Sequence, residues 1–415
     1  MLINARLTAV LAGFALLVGA ACAAPVSPPT APSTVILVGL DGWRWDYLDR
    51  ADAPTLRALA ARGVRSEGLV VTFPSKTFPS HYTIVTGLHP EDHGIISNSI
   101  EDPAIEGRFT LRGGAIRDDP RWWGGEPIWL TAERQGVKAG TVFWPGSDVE
   151  IDGGRPSYWL PYQDDLPNER RVDQVLEWLA LPEADRPRFL TLYFSLVDSA
   201  GHTFGPDSGE VMAAAAEADR LLGLLIAGLE AAGRIDETHL VVVSDHGMAV
   251  VSPDRAIVLD DYLDVSTLDI IDLSPVLGVR PKDGDVERVY AALRDKHPAL
   301  RIYRREEVPA EYHYRRSPRI PPIVGLADDG WTITTREGMA RWTTSGSPRG
   351  NHGFDPRLRS MHGLFVAAGP QLLRGEVVPP VESLHLYELM CALLGITPAP
   401  NSGSLDAVQH VLRSQ

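Results

Sequence analysis

Three apolar, β-branched runs in this chain each stop at an aspartate, and that punctuation limits the fold more than any other feature. Ser33–Leu40 runs into Asp41-Gly42, Phe189–Val197 runs into Asp198, and His239–Ser244 runs into Asp245-His246-Gly247. Runs this apolar read as strands buried on both faces, since a strand with one wet face alternates polar and apolar residues. A fourth run, Gly363–Gly369, follows His352. Helical stretches separate them: Pro54–Arg62 stopped by Gly63, Arg170–Leu179, and Gly209–Ala232 stopped by Gly233, the last with an apolar stripe of Leu221, Leu222, Leu225 and Leu229. Alternating β and α elements predict an α/β fold with a mainly parallel central sheet flanked by helices on both faces. Ligands gather outside the carboxyl ends of such strands, so three carboxylates at three ends mark a site.

Residues 255–345 break this pattern with Asp260-Asp261, Asp283-Gly284-Asp285 and the basic stretch Arg301–Arg319, and they read as an inserted cap subdomain. A chain of 415 residues can carry it on one large domain. The net charge of −15 argues against a nucleic-acid-binding surface. Two cysteines exclude a disulfide scaffold and any Cys-rich zinc module, and Cys391, inside Leu389–Leu394, reads as a buried inert thiol.

Residues 1–24 have the shape of a secretory signal peptide: Arg6, an apolar stretch Leu7–Ala21, then small residues. An uncleaved membrane anchor is the alternative, although the apolar stretch is short for a span. The Pro-rich segment 25–33 cannot continue a helix and reads as a tether. The expectation is an exported protein, periplasmic or secreted. Cys22 stands where a bacterial lipoprotein carries its lipid, while Gly19 departs from the large apolar residue usual three positions earlier, so a lipid-anchored envelope protein stays open.

The chemistry is carried by a set: Asp41, Asp198, His202, Asp245, His246 and His352. Singly, each reads more simply as a helix cap or turn residue. Together, at strand ends and nearby loops, three Asp and three His without thiolates suit a divalent metal bound through N and O, for which zinc is the usual occupant. The second signal is Phe73-Pro74-Ser75-Lys76-Thr77-Phe78-Pro79-Ser80-His81, expected to run into a short helix starting near His81. The Thr77 alcohol is hardly ionised near neutrality, but a metal bound to its oxygen stabilises the alkoxide, which makes attack on phosphorus or sulfur reasonable. Lys76 is basic and equally fits a solvated surface position.

Asp41-Gly42, Lys76–Tyr82, Thr86–Pro90 with His93-Gly94, Asp198–His202, Ser244–Met248 and Asn351-His352-Gly353, in that order between Val35 and Pro370, resemble the nucleotide pyrophosphatase/phosphodiesterase family of the alkaline phosphatase superfamily. The resemblance implies an alkaline phosphatase-like fold with two Zn2+, one held by Asp41, Thr77, Asp245 and His246, the other by Asp198, His202 and His352. It implies attack by Thr77 through a phosphothreonyl intermediate, with the Asn98 amide donating to a phosphoryl oxygen. Phe78 and Tyr162 match the family pair that sandwiches a base; without the resemblance each reads as a core or rim aromatic.

Local residues choose among branches of the superfamily. Sulfatases carry Cys or Ser followed by x-Pro-x-Arg, whereas Thr77 is followed four positions later by His81. Monoesterases usually set an arginine beside the nucleophile, and none lies between Phe73 and Pro90. The stretch Pro145–Asn168, shortened in the lysophospholipid-cleaving branch, is present. The expectation is a catalytic domain over 34–415, without the Cys-rich or nuclease-like modules of animal relatives. It would hydrolyse nucleotide or dinucleotide substrates at phosphodiester and pyrophosphate bonds to nucleoside 5′-monophosphates. The alternatives are a phosphodiesterase for choline or glycerol phosphodiesters and a catalytically silent metal-binding envelope protein.

Overall fold

The computed structural model describes residues 33–413, so the expected signal peptide and Cys22 lie outside the described residues, as does all of the expected tether except Ser33. The core is an eight-stranded sheet in the order Glu376–Val378, Val64–Ser66, Phe365–Ala368, Thr238–Val243, Thr34–Leu40, Phe189–Phe194, Ala139–Val142, Tyr158–Leu160. Every pairing is parallel except those of Phe365–Ala368, which runs against both neighbours.

The period-2 geometry of a strand explains why the central runs are apolar throughout. Val35 and Leu37 of the first strand face one core, whereas Ile36, Val38 and Leu40 face the other. Val241 and Val243 divide from Leu240 and Val242 in the same way. One face is covered by Pro54–Arg62, Asn168–Leu179 and Gly209–Ala231, which contributes the fully buried Leu221, Leu222, Leu225 and Leu229. The opposite face is covered by Thr77–Thr86, Ile128–Arg134 and Leu386–Leu394, which buries Cys391. Thr34–Leu40 is central, with Phe189–Phe194 and Thr238–Val243 on either side, so the chain leaves three adjacent strands at one edge of the molecule.

Residues 255–345 contain an antiparallel sheet of Leu268–Asp272, Val276–Pro281, Ile323–Ala327 and Leu300–Arg304, in that order, with the helix Val286–Leu293 packed against it. Leu277, Val279, Ile302 and Ile323 of this sheet join Phe354 and Met361 in a third core, while Val276, Val324 and Leu326 join the core that includes Tyr82 and Phe73. Among the described residues no helix is long and apolar enough to cross a membrane.

Candidate active site and metal centre

The close approach of Asp41 to Asp198 is set by one glycine. Gly42 has φ +70°, and a Cβ on it would stand 2.7 Å from the Asp198 Cα, so no other residue fits without moving that backbone. The Asp198 N–H donates to the Asp41 carbonyl at 3.0 Å, and the Gly42 N–H donates to Asp245 Oδ1 at 3.1 Å. Three acidic residues distant in sequence are thereby stitched together, Asp198 through its main chain and Asp245 through its side chain.

Asp198 is not at a strand end, contrary to expectation. The strand stops at Phe194, Ser195 leaves extended geometry at ψ 4°, and a helix runs from Leu196 to Phe204. Asp198 and His202 are therefore i and i+4 on one helical face, with His202 Nε2 3.3 Å from Asp198 Oδ1. An apolar run cannot by itself announce where a strand gives way to a helix. His352 comes from the far side, just after the two-residue strand Gly350–Asn351, and its Nε2 lies 3.7 Å from the same Asp198 oxygen.

The six residues fall into two groups, Asp41–Asp245–His246 and Asp198–His202–His352, each with one ligand atom per residue, all within 4.8 Å of one another. The groups adjoin, because the His246 and His352 rings stack with centroids 3.4 Å apart. In each histidine Nδ1 meets a backbone carbonyl at 2.9 Å: Gly350 for His202, Gly247 for His246 and Ser75 for His352. A carbonyl only accepts, so each Nδ1 carries the proton and each Nε2 turns a lone pair into the site. Asp41 Oδ1, Asp198 Oδ1 and Asp245 Oδ2 are buried without a hydrogen-bond partner. Burial, with Asp245 and Asp198 alongside, pushes the Asp41 carboxyl well above the usual carboxylate range. Burial works the same way on Asp245 and Asp198, but the positive charge that His246 and His81 carry when protonated outweighs it at Asp245, and that of His202 and His352 at Asp198, drawing both below that range. Orphaned carboxylate oxygens, converging lone pairs and crowded negative charge are what a divalent cation satisfies, so the donor set fits a metal centre.

Thr77 opens the helix Thr77–Thr86, which begins four residues earlier than the expected start near His81. Its hydroxyl is half-buried and lies 3.4 Å from His246 Nε2, at the border of the first group. Asn98 Oδ1 accepts the Phe78 N–H at 3.0 Å, which leaves the Asn98 NH2 as a free donor next to the nucleophile position. Lys76 is not a solvated residue: it is 5% exposed, and its ammonium is paired with Asp272 of the four-stranded antiparallel sheet. Its partner is so remote in sequence that nothing local announces the burial.

Asp41, Thr77 and Asp198 open into a cavity of about 260 Å³ whose walls include both Phe78 and Tyr162. Phe78 packs on Phe109 and Trp123, at centroid distances of 5.7 and 6.0 Å, while Tyr162 is 42% exposed and rests on Phe143 at 5.2 Å. Asn98 is not part of the cavity wall. Sequence reasoning missed several participants. The Tyr193 hydroxyl donates to Asp41 Oδ2, and its signal was a phenol near the carboxyl end of an apolar run. His81 Nδ1 reaches both the Thr77 carbonyl, at 2.9 Å, and Asp245 Oδ2, at 3.3 Å; its position one helical turn after Thr77 was the signal. Arg112 and Arg117 also line the cavity, Arg117 being paired with Asp118 and with Asp148 at 3.0 Å, and no local signal points to either.

Residues 35–355 match the family described as type I phosphodiesterase / nucleotide pyrophosphatase. The chain is 38% identical over 380 residues to human ectonucleotide pyrophosphatase/phosphodiesterase family member 5, covering 92% of this chain and 78% of that protein. It is 38% identical over 401 residues to mouse family member 1, covering 93% of this chain but 43% of that longer protein. An inactive variant of murine family member 5, solved in complex with AMP, superposes with a TM-score of 0.87 at 38% identity, covering 92% of this chain and 100% of that one. The family match over most of the chain and the fold shared with solved relatives show that the chain belongs to the type I phosphodiesterase/nucleotide pyrophosphatase family of hydrolases.

Proposed function

We propose that this enzyme hydrolyses nucleotide phosphodiester and pyrophosphate bonds through a covalent phosphothreonyl intermediate on Thr77, releasing nucleoside 5′-monophosphates. The carrying observation is the juxtaposition of a hydroxyl at a helix start with two adjoining Asp/His groups, at the wall of a cavity that also presents Phe78 and Tyr162. Asp41, Asp245 and His246 with Thr77 would hold one Zn2+, and Asp198, His202 and His352 a second, supplying Lewis-acid polarisation and charge neutralisation at the phosphoryl group. Thr77 Oγ1 forms the new bond to phosphorus as the bond to the leaving oxygen breaks, and water then cleaves the Thr77 ester to return the free hydroxyl. The first turn of the Thr77 helix points its positive end toward the anionic phosphoryl group, and the Asn98 NH2 is a ready donor to one of its oxygens. Phe78 and Tyr162 offer π faces to a base and are tolerant of its identity. That a murine relative was solved in complex with AMP supports a nucleotide as the ligand.

Export and a periplasmic or secreted location remain our reading of residues 1–24, and 255–345 our reading of the insertion. The test is kcat/KM for a chromogenic thymidine 5′-phosphodiester against the matching monoester, with Thr77→Ala alongside. The diester should be strongly preferred, and Thr77→Ala should lower its turnover by more than about 1,000-fold while AMP still binds. Full turnover by Thr77→Ala, or preference for the monoester, would overturn the reading; a preference for glycerophosphocholine would transfer it to the choline or glycerol diesters.

A further inference from the structure

The residue before the nucleophile breaks a local rule. Lys76 is the N-cap of the Thr77 helix and makes no side-chain cap, where Ser, Thr, Asp or Asn would satisfy a free N–H. Its side chain turns away instead and is buried against the inserted sheet, its ammonium on Asp272 Oδ2 and 3.4 Å from Ser97 Oγ. Ser97, the neighbour of Asn98, donates to that same Asp272 oxygen, while Asp272 Oδ1 accepts the Leu273 N–H at 2.9 Å. Asp272 ends its strand just past a register shift between Ile270 and Asp272, the kind of bulge that re-aims a side chain. The stem of Lys76 runs close against Gly353, next to His352, where a Cβ would fall 3.0 Å from Lys76 Cε. Two more residues from 255–345 clasp the same loop: the Tyr312 and Tyr314 rings pack on Phe73 at 4.6 and 5.1 Å.

We infer that Asp272 is a positioning residue, through which the insertion holds Lys76 and Ser97 and so sets the relative placement of Thr77 and Asn98. One carboxylate grips the two residues adjacent in sequence to the two groups proposed to touch the phosphoryl, and misplacement on the ångström scale there costs rate rather than affinity. The inference rests on the proposed role of Thr77, so its test carries a readout independent of substrate.

Asp272→Asn keeps the side-chain shape and removes the charge. It should lower kcat on the thymidine diester about 10- to 100-fold, with KM changed less than about threefold. Amide hydrogen exchange over Lys76–Tyr82 should speed up in this variant, while exchange in the Gly209–Ala231 helix stays as in the wild type. Lys76→Met and Asp272→Leu complete a double-mutant cycle: a buried pair acting as one unit makes the double variant no slower than the worse single one. An Asp272→Asn protein with unchanged kcat and unchanged local exchange overturns the inference, as does a double variant whose losses multiply. If instead the wild type fails on the diester while exchange responds as expected, the proposed function falls and the brace stands.

Discussion

At the scale of single residues, the site is a matter of which atom each side chain has left to offer. Nδ1 of His202, His246 and His352 is spent on a backbone carbonyl, so Nε2 is the only nitrogen free, and Asn98 spends its oxygen on Phe78 and keeps its NH2. Tyr162 differs in being 42% exposed and anchored mainly on Phe143, so its removal leaves the fold intact. Stacking on one aromatic is worth about 1–3 kcal/mol per base. Tyr162→Ala should therefore cut kcat/KM for the thymidine diester by about 5- to 150-fold while leaving bis(p-nitrophenyl) phosphate nearly unaffected; equal losses on both would deny a base-binding role. Asp41, Asp245 and His246 could be picked out because they lie within three residues of the ends of apolar strands. Arg112 and Arg117 were not, because a residue that reaches a cavity from a surface loop carries no periodicity.

At the scale of elements, the two ligand groups depend on how closely the first strand's end approaches the Leu196–Phe204 helix. Gly42→Ala puts a Cβ 2.7 Å from the Asp198 backbone at φ +70°, so Asp41 and Asp198 must separate. Gly233 is a control: it has φ +67° but nothing within 4 Å of its would-be Cβ. Both variants should lose about 1 kcal/mol or more of stability to backbone strain. Only Gly42→Ala should also retain less divalent metal per chain after dialysis, read by elemental analysis alongside thermal melting. Full metal content in Gly42→Ala would mean that the crossing is more tolerant than its geometry indicates. The same junction is where reading Phe189–Val197 as one strand went astray, since Leu196 and Val197 are apolar for the helix's packing rather than for the sheet's.

At the scale of the whole molecule, the insertion is tied to the body by charge as well as by packing. The Glu91 carboxylate accepts the backbone N–H groups of Arg315 and Arg316 and the Arg316 Nε, each at 2.8 Å. Burial raises its pKa, but those donors and the Arg316 charge outweigh burial and hold it below the usual glutamate range. A group depressed in the folded state stabilises fully above its unfolded pKa, about 4.3, and that stabilisation is lost as pH falls through the folded value. Glu91→Gln should therefore lower the urea midpoint at about pH 7 and differ less from wild type as the pH drops below about 4; a constant difference across that range would show that the carboxylate's charge is not what matters. Strand runs determined the fold class, motif order the family, and both together the candidate site residues, because burial periodicity and strand-end chemistry are written locally in the chain. Tertiary structure alone decided the partners. Lys76 meets Asp272 across 196 positions, and Glu91 meets Arg316 across 225, because which distant charges share a buried space depends on how the sheets pack, and that leaves no local trace in the sequence.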